Sequence, residues 1–449
     1  MIEFEMLTLA YILGGVMAGA MAGLLPGIGN TLIMILTFPF FLGVDNPLNI
    51  IIFYVACLSL SQYTGSVTST VFSVPGEISS LPAVKEGHKL YRKGLGSLSL
   101  SGCALGSFFG SLLAVGFVLL VGKSLQNFTF LYSSVFQSYI LVIVCLFMIF
   151  GKYNRWYVTT LIGALGYGMA MIGPGGMVEE ETLTFGIESL LYGIPLFSVV
   201  VWLFVFPQIL KYWDTQMKVD IKVSREQNLN PFKHLKLFFK NSLSFIRGSV
   251  IGFFLGLTPY LTTVISSNVS YAVEKWLRTK NKTYDETGDY ASLVTAETAN
   301  NAAALSSLLP LLIIGIPITS SEALLLELTT ANGFTFYVEE FYGLFVLVSM
   351  SLVLINLLGL FIAWPMAKFL YIFYYINIKT IYKLVLVFCV FMTFYLGYID
   401  HVMPYYVCIS AILAVIGYLL RHYNTMPLIF VFMMQDGLEQ NLTRFIFYL

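Results

Sequence analysis

Charged residues are scarce in this sequence. They make up 11% of the 449 residues, whereas hydrophobic residues make up 58%. A soluble domain usually carries about 25% charged residues, because its surface must be hydrated. The shortage is also uneven, since charge-free runs extend from Glu5 to Asp45 and from Lys93 to Lys123, among others. Lipid must therefore cover much of the surface, and a soluble globular fold is excluded.

Other features are missing as well, and each absence excludes a class of function. The formal net charge is zero, so the basic footprint that nucleic acid requires is lacking. The five cysteines stand singly in apolar runs, without the paired spacing of a metal or redox centre. No P-loop is present, so ATP hydrolysis would need another chain, and we expect no cofactor. The first residues lack the basic segment of a signal peptide and are expected to belong to the mature protein.

The apolar runs are continuous, and most are long enough for a spanning helix of roughly 20 residues. Strands of a membrane barrel would instead give short alternating segments. We therefore predict an all-α polytopic membrane protein with about 10–12 hydrophobic segments, some of them interrupted and not crossing completely.

Two parts of the chain resemble each other. Three glycines at four-residue spacing precede a proline, and the pattern recurs at an offset of 233. The first set is Gly15, Gly19, Gly23 and Pro26, and the second is Gly248, Gly252, Gly256 and Pro259. A further match aligns the stretch from Ser73 with that from Gly315. Small residues at this spacing also serve close helix packing, but recurrence of the whole arrangement favours an internal duplication.

Basic residues indicate how the two copies are oriented, because short loops rich in Lys and Arg stay cytoplasmic. The stretch from Lys85 to Lys93 is expected inside, and the acidic turn 179–181 outside. Residues 211–247 carry eight basic and three acidic residues and are expected to form a cytoplasmic amphipathic linker. The first copy then begins outside and the second inside. Such inverted-topology repeats are chiefly a transporter device.

These observations divide the chain into five parts. We predict a first repeat with broken helices at 1–122, intervening transmembrane helices at 123–210, the linker at 211–247, a second repeat with broken helices at 248–366, and C-terminal transmembrane helices at 367–449.

Four interruptions of apolar runs are candidate binding elements. They lie around Pro26, Pro75, Pro259 and Pro317. Unwound backbone at membrane depth is permitted only where it is buried in protein or lines a wet cavity. A helix that restarts after a break points free N–H groups and the positive end of its dipole at that cavity, which suits a carboxylate. A kink explains one break equally well, but four breaks in paired positions favour a site.

A second candidate is the stretch Glu297–Asn301, which we expect to start a helix that faces the second-copy break. Two adjacent asparagines are costly in a membrane unless they are paired. They either cap the helix or bind a ligand, and amide and hydroxyl oxygens would also suit sodium. The predicted binding residues are Pro26, Gly27, Gly29, Asn30, Thr31, Ser66, Thr68, Pro75, Gly76, Pro259, Thr262, Thr263, Asn300, Asn301, Pro317 and Thr319. A sodium ion is expected near Asn300, Asn301 and Thr319.

The sequence offers little for catalysis. Asp400 and His401 are the one adjacent acid–imidazole pair, and no nucleophile or metal-ligand spacing lies near them. The histidines His88, His234 and His422 lie in or beside predicted polar loops and are expected to be ordinary surface residues. Two alternatives stay open: a membrane-embedded enzyme that uses Asp400 and His401, and a scaffold subunit that does not transport.

At these residues the sequence resembles the large membrane subunit of the bacterial tripartite tricarboxylate transporters. The family's Gly-x-x-x-Gly-x-Leu-Pro-Gly-x-Gly element is matched by Gly19 to Gly29. Further matches are Gly65–Thr68 with Pro75–Gly76, Glu297–Ala302 with Ile314–Pro317, and Met426–Leu442. The chain departs from the family at Tyr260, where glycine is usual, and at Glu86 to Lys89, where Asp-Gly-Tyr-Pro is usual. A bulky Tyr260 would change pocket size or selectivity.

The resemblance implies a permease of the bacterial inner membrane that imports citrate or related organic carboxylates. Its implied partners are a small four-helix membrane subunit and a periplasmic substrate-binding protein. Transport would proceed by alternating access and would be driven by a sodium or proton gradient.

Overall fold

A computed structural model describes the fold. It covers residues 6–25, 29–125, 139, 142–143, 145–146, 148–149, 154–174, 181–213, 231–258, 262–336, 341–374, 378–433 and 435.

The first part of the chain forms helices interrupted by short turns. The α-helices are α1 (Met6–Leu24), α2 (Gly29–Thr37), α3 (Leu48–Phe72), α4 (His88–Leu90) and α5 (Gly96–Leu125). Turns of 3-10 helix cover Phe38–Phe41 and Ile78–Ser80, and π-helical turns flank α4 at Ala83–Gly87 and Tyr91–Leu95.

The middle part holds shorter elements. Its α-helices are α6 (Trp156–Ala170), α7 (Leu196–Val200), α8 (Phe206–Trp213) and α9 (Leu235–Lys240). A π-helical turn at Val201–Val205 joins α7 to α8, and 3-10 turns cover Glu188–Tyr192 and Pro231–His234. Two strands of two residues each, β1 (Gly173–Pro174) and β2 (Glu181–Thr182), pair antiparallel.

The rest of the chain is again helical. It contains α10 (Ser242–Gly256), α11 (Thr262–Lys280), α12 (Tyr290–Ser306), α13 (Leu308–Ile314), α14 (Ser320–Ala331), α15 (Phe341–Tyr374), α16 (Ile378–Ile399), α17 (Met403–Leu420) and α18 (Met426–Met433).

Six helical stretches in the described part are long and apolar enough to cross a membrane. They are Met6–Leu24, Leu48–Phe72, Ala83–Leu120, Tyr342–Ile362, Lys379–Ile399 and Met403–Leu420. Shorter apolar helices cover Gly29–Phe41, Leu196–Val205 and Ser242–Gly256. The prediction of an all-α polytopic membrane protein is confirmed.

Two helices lie at the centre of the molecule. Every residue from Asn49 to Val71 in α3 is buried, and so is every residue from Ala291 to Ser306 in α12. Both helices carry many hydroxyl and amide side chains, which are costly in a membrane interior unless they find partners. The polar groups of the fold therefore converge where these two helices meet.

In the first copy, the glycine helix α1 packs directly on the backbone of α3. A Cβ at Gly15 would overlap the carbonyl oxygen of Phe53, and one at Gly23 would overlap that of Ser61, with Gly19 between them. Small residues allow such close approach in membranes. Since the contacts advance along both helices together, α1 and α3 run parallel. The chain that connects them, which includes α2, must therefore return to the end of the molecule where α1 begins.

The second copy repeats this packing. A Cβ at Gly248 would overlap the carbonyl oxygen of Thr295, one at Gly252 would overlap that of Ala299, and Gly256 follows at the same interval. Helices α10 and α12 are therefore parallel as well, and the repeated glycines make equivalent contacts in the two copies.

The central helices α3 and α12 run antiparallel to each other. Gln62 contacts Asn300, whereas Ser66, one turn later in α3, contacts Glu297, one turn earlier in α12. Side-chain hydrogen bonds make the contact between α3 and α12, whereas Gly110 brings α5 of the first copy against the backbone of α12 at Thr298.

Candidate functional site

Helix breaks occur where the prolines predict them. In the first copy, α1 ends at Leu24 and α2 begins at Gly29, and in the second, α10 ends at Gly256 and α11 begins at Thr262. The predicted binding residues Pro26, Gly27 and Pro259, and the family departure at Tyr260, lie outside the described residues.

The breaks before Pro75 and Pro317 share a left-handed backbone conformation. Helix α3 ends at Phe72 and is followed by Ser73, whose φ is 60°, and α13 ends at Ile314 and is followed by Gly315, whose φ is 69°. These residues occupy the same place in the aligned copies. Glycine adopts this left-handed conformation readily, whereas it is uncommon for serine. The chain therefore leaves the helix at an equivalent step in both copies, two residues before Pro75 and Pro317.

A chain of side-chain hydrogen bonds joins the two copies. Gln62 donates to Oε2 of Glu77 at 2.8 Å, and its Oε1 accepts from Nδ2 of Asn300 at 2.6 Å. Asn30, at the start of α2, donates to Oε1 of Glu77 at 3.2 Å. Ser79 donates to Oε1 of Gln62 at 3.2 Å. The first break, the break after α3 and the centre of α12 thus meet in one polar network.

The N-termini of α2 and α14 lie side by side next to this network. The hydroxyls of Thr31 and Ser320 share a hydrogen bond of 3.1 Å, and those of Tyr54 and Ser321 share one of 3.0 Å. Two helix N-termini that converge create a region of positive potential. The arrangement favours an anion at the point where both helices restart.

Helix α14 already accommodates a carboxylate of its own chain. Thr319 accepts a hydrogen bond from the Glu322 N–H at 3.3 Å. Oε2 of Glu322 accepts from the N–H groups of Ile318 and Thr319 at 2.9 and 3.1 Å. This reciprocal capping box satisfies the first N–H groups of the helix. Oε1 of the same carboxyl is buried without a hydrogen-bond partner in the described part.

A second polar cluster surrounds Glu297 in α12. Ser66 donates to Oε2 of Glu297 at 2.5 Å. One turn further on, Nδ2 of Asn301 donates to Ser107 at 2.8 Å and to the Glu297 carbonyl at 3.0 Å. The Oδ1 atoms of Asn300 and Asn301 are buried with no partner among the described residues. Unpaired buried oxygens of this kind can coordinate a hard cation.

A small cavity, of about 10 Å³, adjoins this cluster. Its lining includes Asn301, Ser59 and Ser111. A space of this size holds about one water molecule or one small ion. The other lining residues are apolar: Val55, Leu58, Ala304, Leu305, Leu308 and Leu352.

The segments that form most of the site contain buried carboxyl groups but no Lys or Arg. Residues 1–84 and 283–367, which supply most of these side chains, contain no Lys or Arg. Glu297 and Glu322 are almost completely buried, and Glu77 is half-buried. None of the three forms a salt bridge within the described residues. The donors that these two segments offer to an anion are therefore N–H, hydroxyl and amide groups.

The comparison with known families agrees with this geometry. The family model described as "Tripartite tricarboxylate transporter TctA family" matches residues 9–432. The chain belongs to this family. The resemblance inferred from the motifs is thereby confirmed, and so is the prediction of a multi-pass membrane protein.

A curated relative gives a second comparison. An Agrobacterium vitis protein, named "Uncharacterized 52.8 kDa protein in TAR-I ttuC' 3'region", is 29% identical over 327 residues. The match covers 72% of this chain and 63% of the relative, less than two thirds of the relative's length. No solved structure matches the chain.

TctA proteins are transporters rather than enzymes, which confirms the prediction that the chain is not an enzyme. Asp400 and His401 fit this conclusion. Both are exposed at the turn between α16 and α17. Asp400 accepts a hydrogen bond of 2.5 Å from Tyr406, an ordinary contact between residues close in the chain.

The structure gathers some of the predicted residues of this TctA chain into the two clusters. Those in the clusters, or in the adjoining helix starts, are Gly29, Asn30, Thr31, Ser66, Asn300, Asn301 and Thr319. Pro75 and Pro317 lie in the breaks beside them.

Other predicted residues serve the packing of the copies. Thr68 donates to the carbonyl of Gly23 at 3.2 Å, and a Cβ at Gly76 would overlap that same carbonyl. Thr262 and Thr263 form the first turn of α11, and neither side chain hydrogen-bonds to the network in the described part of the chain.

Two local expectations were wrong. Glu297 does not start a helix: α12 begins at Tyr290, where Asp289 caps it by accepting from the Ser292 N–H at 2.8 Å. His88 is not an ordinary surface residue, because it is half-buried and its Nδ1 lies 2.9 Å from the Thr70 carbonyl. Glu297 is preceded by extra turns of α12, and His88 lies in the short helix α4 where a polar loop was predicted.

Several members of the site were not predicted from the sequence. Gln62, Glu77, Glu322 and Tyr54 were not named as binding residues, although the structure places them at its centre. A signal existed for Glu77, which is the one charged residue between Asp45 and Lys85. An isolated carboxyl in so long an apolar stretch is a functional candidate by default.

Proposed function

We propose that this chain is the permease subunit of a secondary active transporter that imports tricarboxylates or related organic carboxylates. The observation that carries the proposal is the buried hydrogen bond from Asn300 to Gln62, which joins the two copies where their helices break. A substrate would bind beside this junction.

Carboxylate recognition rests on the two helix starts. The first turns of α2 and α14 meet at Thr31 and Ser320, and N–H groups at helix N-termini bind carboxylates well. The Glu322 carboxyl already occupies the N–H groups of Ile318 and Thr319 before α14, which shows that this helix start accommodates a carboxylate. Asn30 and Gln62 add side-chain amide donors, which in this structure point to Glu77. The same donors are therefore suited to a carboxylate of the substrate.

Charge balance supports coupling to a cation. A carboxylate substrate adds negative charge to a site that already holds three carboxyls and receives no Lys or Arg from residues 1–84 or 283–367. Burying unpaired charge costs several kcal/mol per ion. Sodium ions or protons that enter with the substrate would offset this cost. The unpaired oxygens of Asn300 and Asn301 are the proposed sodium ligands, and Thr319 is the third predicted ligand.

Alternating access would use the symmetry of the two copies. Helices α1 and α3 are parallel, α10 and α12 are parallel, and α3 and α12 are antiparallel. This arrangement supports inverted-topology repeats, which place a site at the midplane between two units that rock against each other.

The proposed setting is the bacterial inner membrane. The proposed partners are a small four-helix membrane subunit and a periplasmic protein that delivers the carboxylate. Both proposals draw on membership of a tripartite family.

Uptake of radiolabelled citrate and a few dicarboxylates tests the proposal. Cells would express the chain with its proposed partners, with and without a sodium gradient and with and without a proton gradient. We expect accumulation that depends on one of the gradients. Accumulation should fall strongly in Asn301→Ala. Glu188→Gln, at an exposed position far from the clusters in sequence, serves as a surface control for expression and insertion.

The outcomes separate the alternatives. No accumulation of any acid by inserted, folded protein would contradict carboxylate transport and favour a scaffold subunit. Full uptake by Asn301→Ala would contradict the assignment of that residue.

A further inference from the structure

One face of the molecule carries a buried carboxyl cluster that is separate from the substrate site. We call it the basic face, because Lys85, Lys89, Arg92 and Lys93 lie on it. Here the segment 83–95 of the first copy meets the loop 281–289 between α11 and α12 of the second copy. The positive-inside rule places this face on the cytoplasmic side.

Glu86 is the centre of the contact. Its side chain is fully buried. Oε1 accepts hydrogen bonds of 2.6 Å from the hydroxyls of both Tyr271 and Tyr284, and Oε2 accepts one of 2.9 Å from the Asp289 N–H. All three donors belong to the second copy. We call these three hydrogen bonds the Glu86 latch.

The latch is well suited to hold a charged carboxylate. Burial, and then the hydrogen bond to Glu86, raise the pKa of Tyr284 to about 12, so this phenol keeps its proton at neutral pH and acts as a donor. The amine of Lys275 lies 5.8 Å from the Tyr271 ring centre and 4.9 Å from that of Tyr284. Charge-assisted hydrogen bonds are stronger than neutral ones.

Further contacts surround the latch. Arg278 pairs with Asp289 at 2.9 Å, Lys89 donates to the Glu286 carbonyl at 3.0 Å, and Lys93 lies 3.7 Å from Asp285. The exposed pairs contribute little energy individually. They nevertheless fix the position of the loop against the segment 83–95.

A weaker contact of the same kind joins the copies elsewhere. There Asn332, at the end of α14, donates to the Phe41 carbonyl at 2.9 Å and accepts from the Val44 N–H at 2.8 Å. In this contact the second copy supplies the side chain and the first copy its partners, so the roles of the copies are exchanged. It consists of one neutral side chain and two backbone groups, whereas the latch uses a buried carboxylate and three donors.

We propose that the Glu86 latch is the gate of the basic face, and that transport requires it to open. The inference rests on the proposed function, because a gate has meaning only in a transporter. Opening separates the segment 83–95 from the loop 281–289 and gives water on the basic face access to the network at Gln62 and Ser79. Loss of latch donors or of the Glu86 charge shifts the chain toward this open state.

A thiol-labelling experiment tests the gate without any substrate. Ser79→Cys places a reporter in the buried network. All five native thiols (Cys57, Cys103, Cys145, Cys389 and Cys408) are first replaced by Ser, because Cys57 lies beside the network and Cys103 beside the segment 83–95. A membrane-impermeant maleimide is applied from the basic face in vesicles of each orientation. We expect Glu86→Gln and Tyr284→Phe to speed labelling from the basic face roughly three- to tenfold, the effect of losing one hydrogen bond.

Matched controls guard against general destabilisation. Glu188→Gln and Tyr423→Phe make the same chemical changes at exposed positions and should leave the labelling rate unchanged. Size-exclusion profiles in detergent show whether each variant is folded. Faster labelling from both faces would indicate loosening of the whole fold and would overturn the gate.

A second experiment holds the gate closed by a cross-link and asks whether labelling becomes slower. Lys89→Cys with Glu286→Cys, bridged by a bifunctional thiol reagent with a reducible linker, should slow labelling of the reporter from the basic face, and reduction of the bridge should restore it. Equal labelling in bridged and unbridged protein would refute the gate. Since labelling needs no substrate, a failure of carboxylate uptake leaves this test unaffected.

Discussion

The side-chain amide of Asn300 donates a hydrogen bond of 2.6 Å to Oε1 of Gln62, and both residues are buried at the junction of the two copies. The same Gln62 donates to Glu77. The Gln62 amide therefore links α12 to the Glu77 carboxyl, which in turn accepts a hydrogen bond from Asn30 at the start of α2. A change at either residue should be felt at the helix start that is proposed to bind substrate.

Asn300→Ala and Gln62→Ala should each lower uptake about fivefold or more, because truncation leaves a buried polar partner unsatisfied at a cost of about 1–3 kcal/mol. The double variant should be little worse than Gln62→Ala alone, since that variant already removes the hydrogen bond from Asn300 along with those with Glu77 and Ser79. Initial uptake rates of the three variants and the original protein, at matched membrane amounts, measure this coupling. Strictly multiplicative losses would mean that the two residues act independently.

Glycine packing predicts a contrast within α5. A Cβ at Gly110 would overlap the carbonyl oxygen of Thr298, whereas one at Gly116 meets no atom within 4 Å. We expect Gly110→Ala to destabilise the protein by about 1–3 kcal/mol through overpacking. Gly116→Ala should be neutral or stabilising, because alanine favours helix over glycine. Thermal unfolding in detergent checks both. Equal stability of the two variants would argue against the close approach of α5 to α12.

The cap of α14 predicts a difference between two substitutions of Thr319. Thr319→Ala removes the oxygen that accepts from the Glu322 N–H and should cost about 1 kcal/mol. Thr319→Ser keeps that oxygen and should retain both stability and uptake. Unfolding and uptake are measured on the same preparations. If the alanine variant loses uptake but no stability, Thr319 acts on the substrate or ion rather than as a cap.

Glu297→Gln tests whether the buried carboxyl supports cation coupling. The amide keeps the size of the side chain but removes the charge that would balance a cation beside Asn300 and Asn301. We expect the sodium or proton concentration that gives half-maximal uptake to rise about tenfold or more, because a buried charge that loses its partner costs several kcal/mol. Ser66→Ala, which removes only the 2.5 Å hydrogen bond, should have a smaller effect. An unchanged cation dependence in Glu297→Gln would exclude this carboxyl from coupling.

Asp400 and His401 should be dispensable. Both are exposed at a turn, where Asp400 accepts a hydrogen bond from Tyr406. Asp400→Asn and His401→Ala are expected to leave uptake within about twofold of that of the original protein, as for surface substitutions in general. Loss of uptake by correctly inserted protein would show that this turn contributes to transport.

Local sequence patterns predicted the breaks that follow the glycine helices. Prolines at fixed distance from three spaced glycines indicated where α1 and α10 end, because proline and glycine act through the backbone itself. Hydrophobic runs likewise predicted the helical class. These signals are local, so they are readable without knowing which helices meet.

Contacts between distant segments were not predictable in the same way. Nothing near Glu86 in the sequence indicates that Tyr271 and Tyr284 will enclose it, and a carboxyl among basic residues is typical of a polar loop. The bond from Asn300 to Gln62 likewise spans 238 residues. Antiparallel packing of α3 against α12 determines the partner of Asn300, and the approach of the segment 83–95 to α11 and the loop 281–289 determines the partners of Glu86. Both are properties of the tertiary fold.

The two kinds of helix contact have different mechanical consequences. Where Gly19 and Gly252 bring backbones together, no side chain can rotate to make space, so each glycine helix and its partner must move as one rigid body. Between α3 and α12 the contact is made of amides and hydroxyls, whose hydrogen bonds water can replace one for one. Hydration can therefore loosen the contact between α3 and α12, whereas Gly110 keeps α5 in backbone contact with α12, so α5 must move together with the second copy.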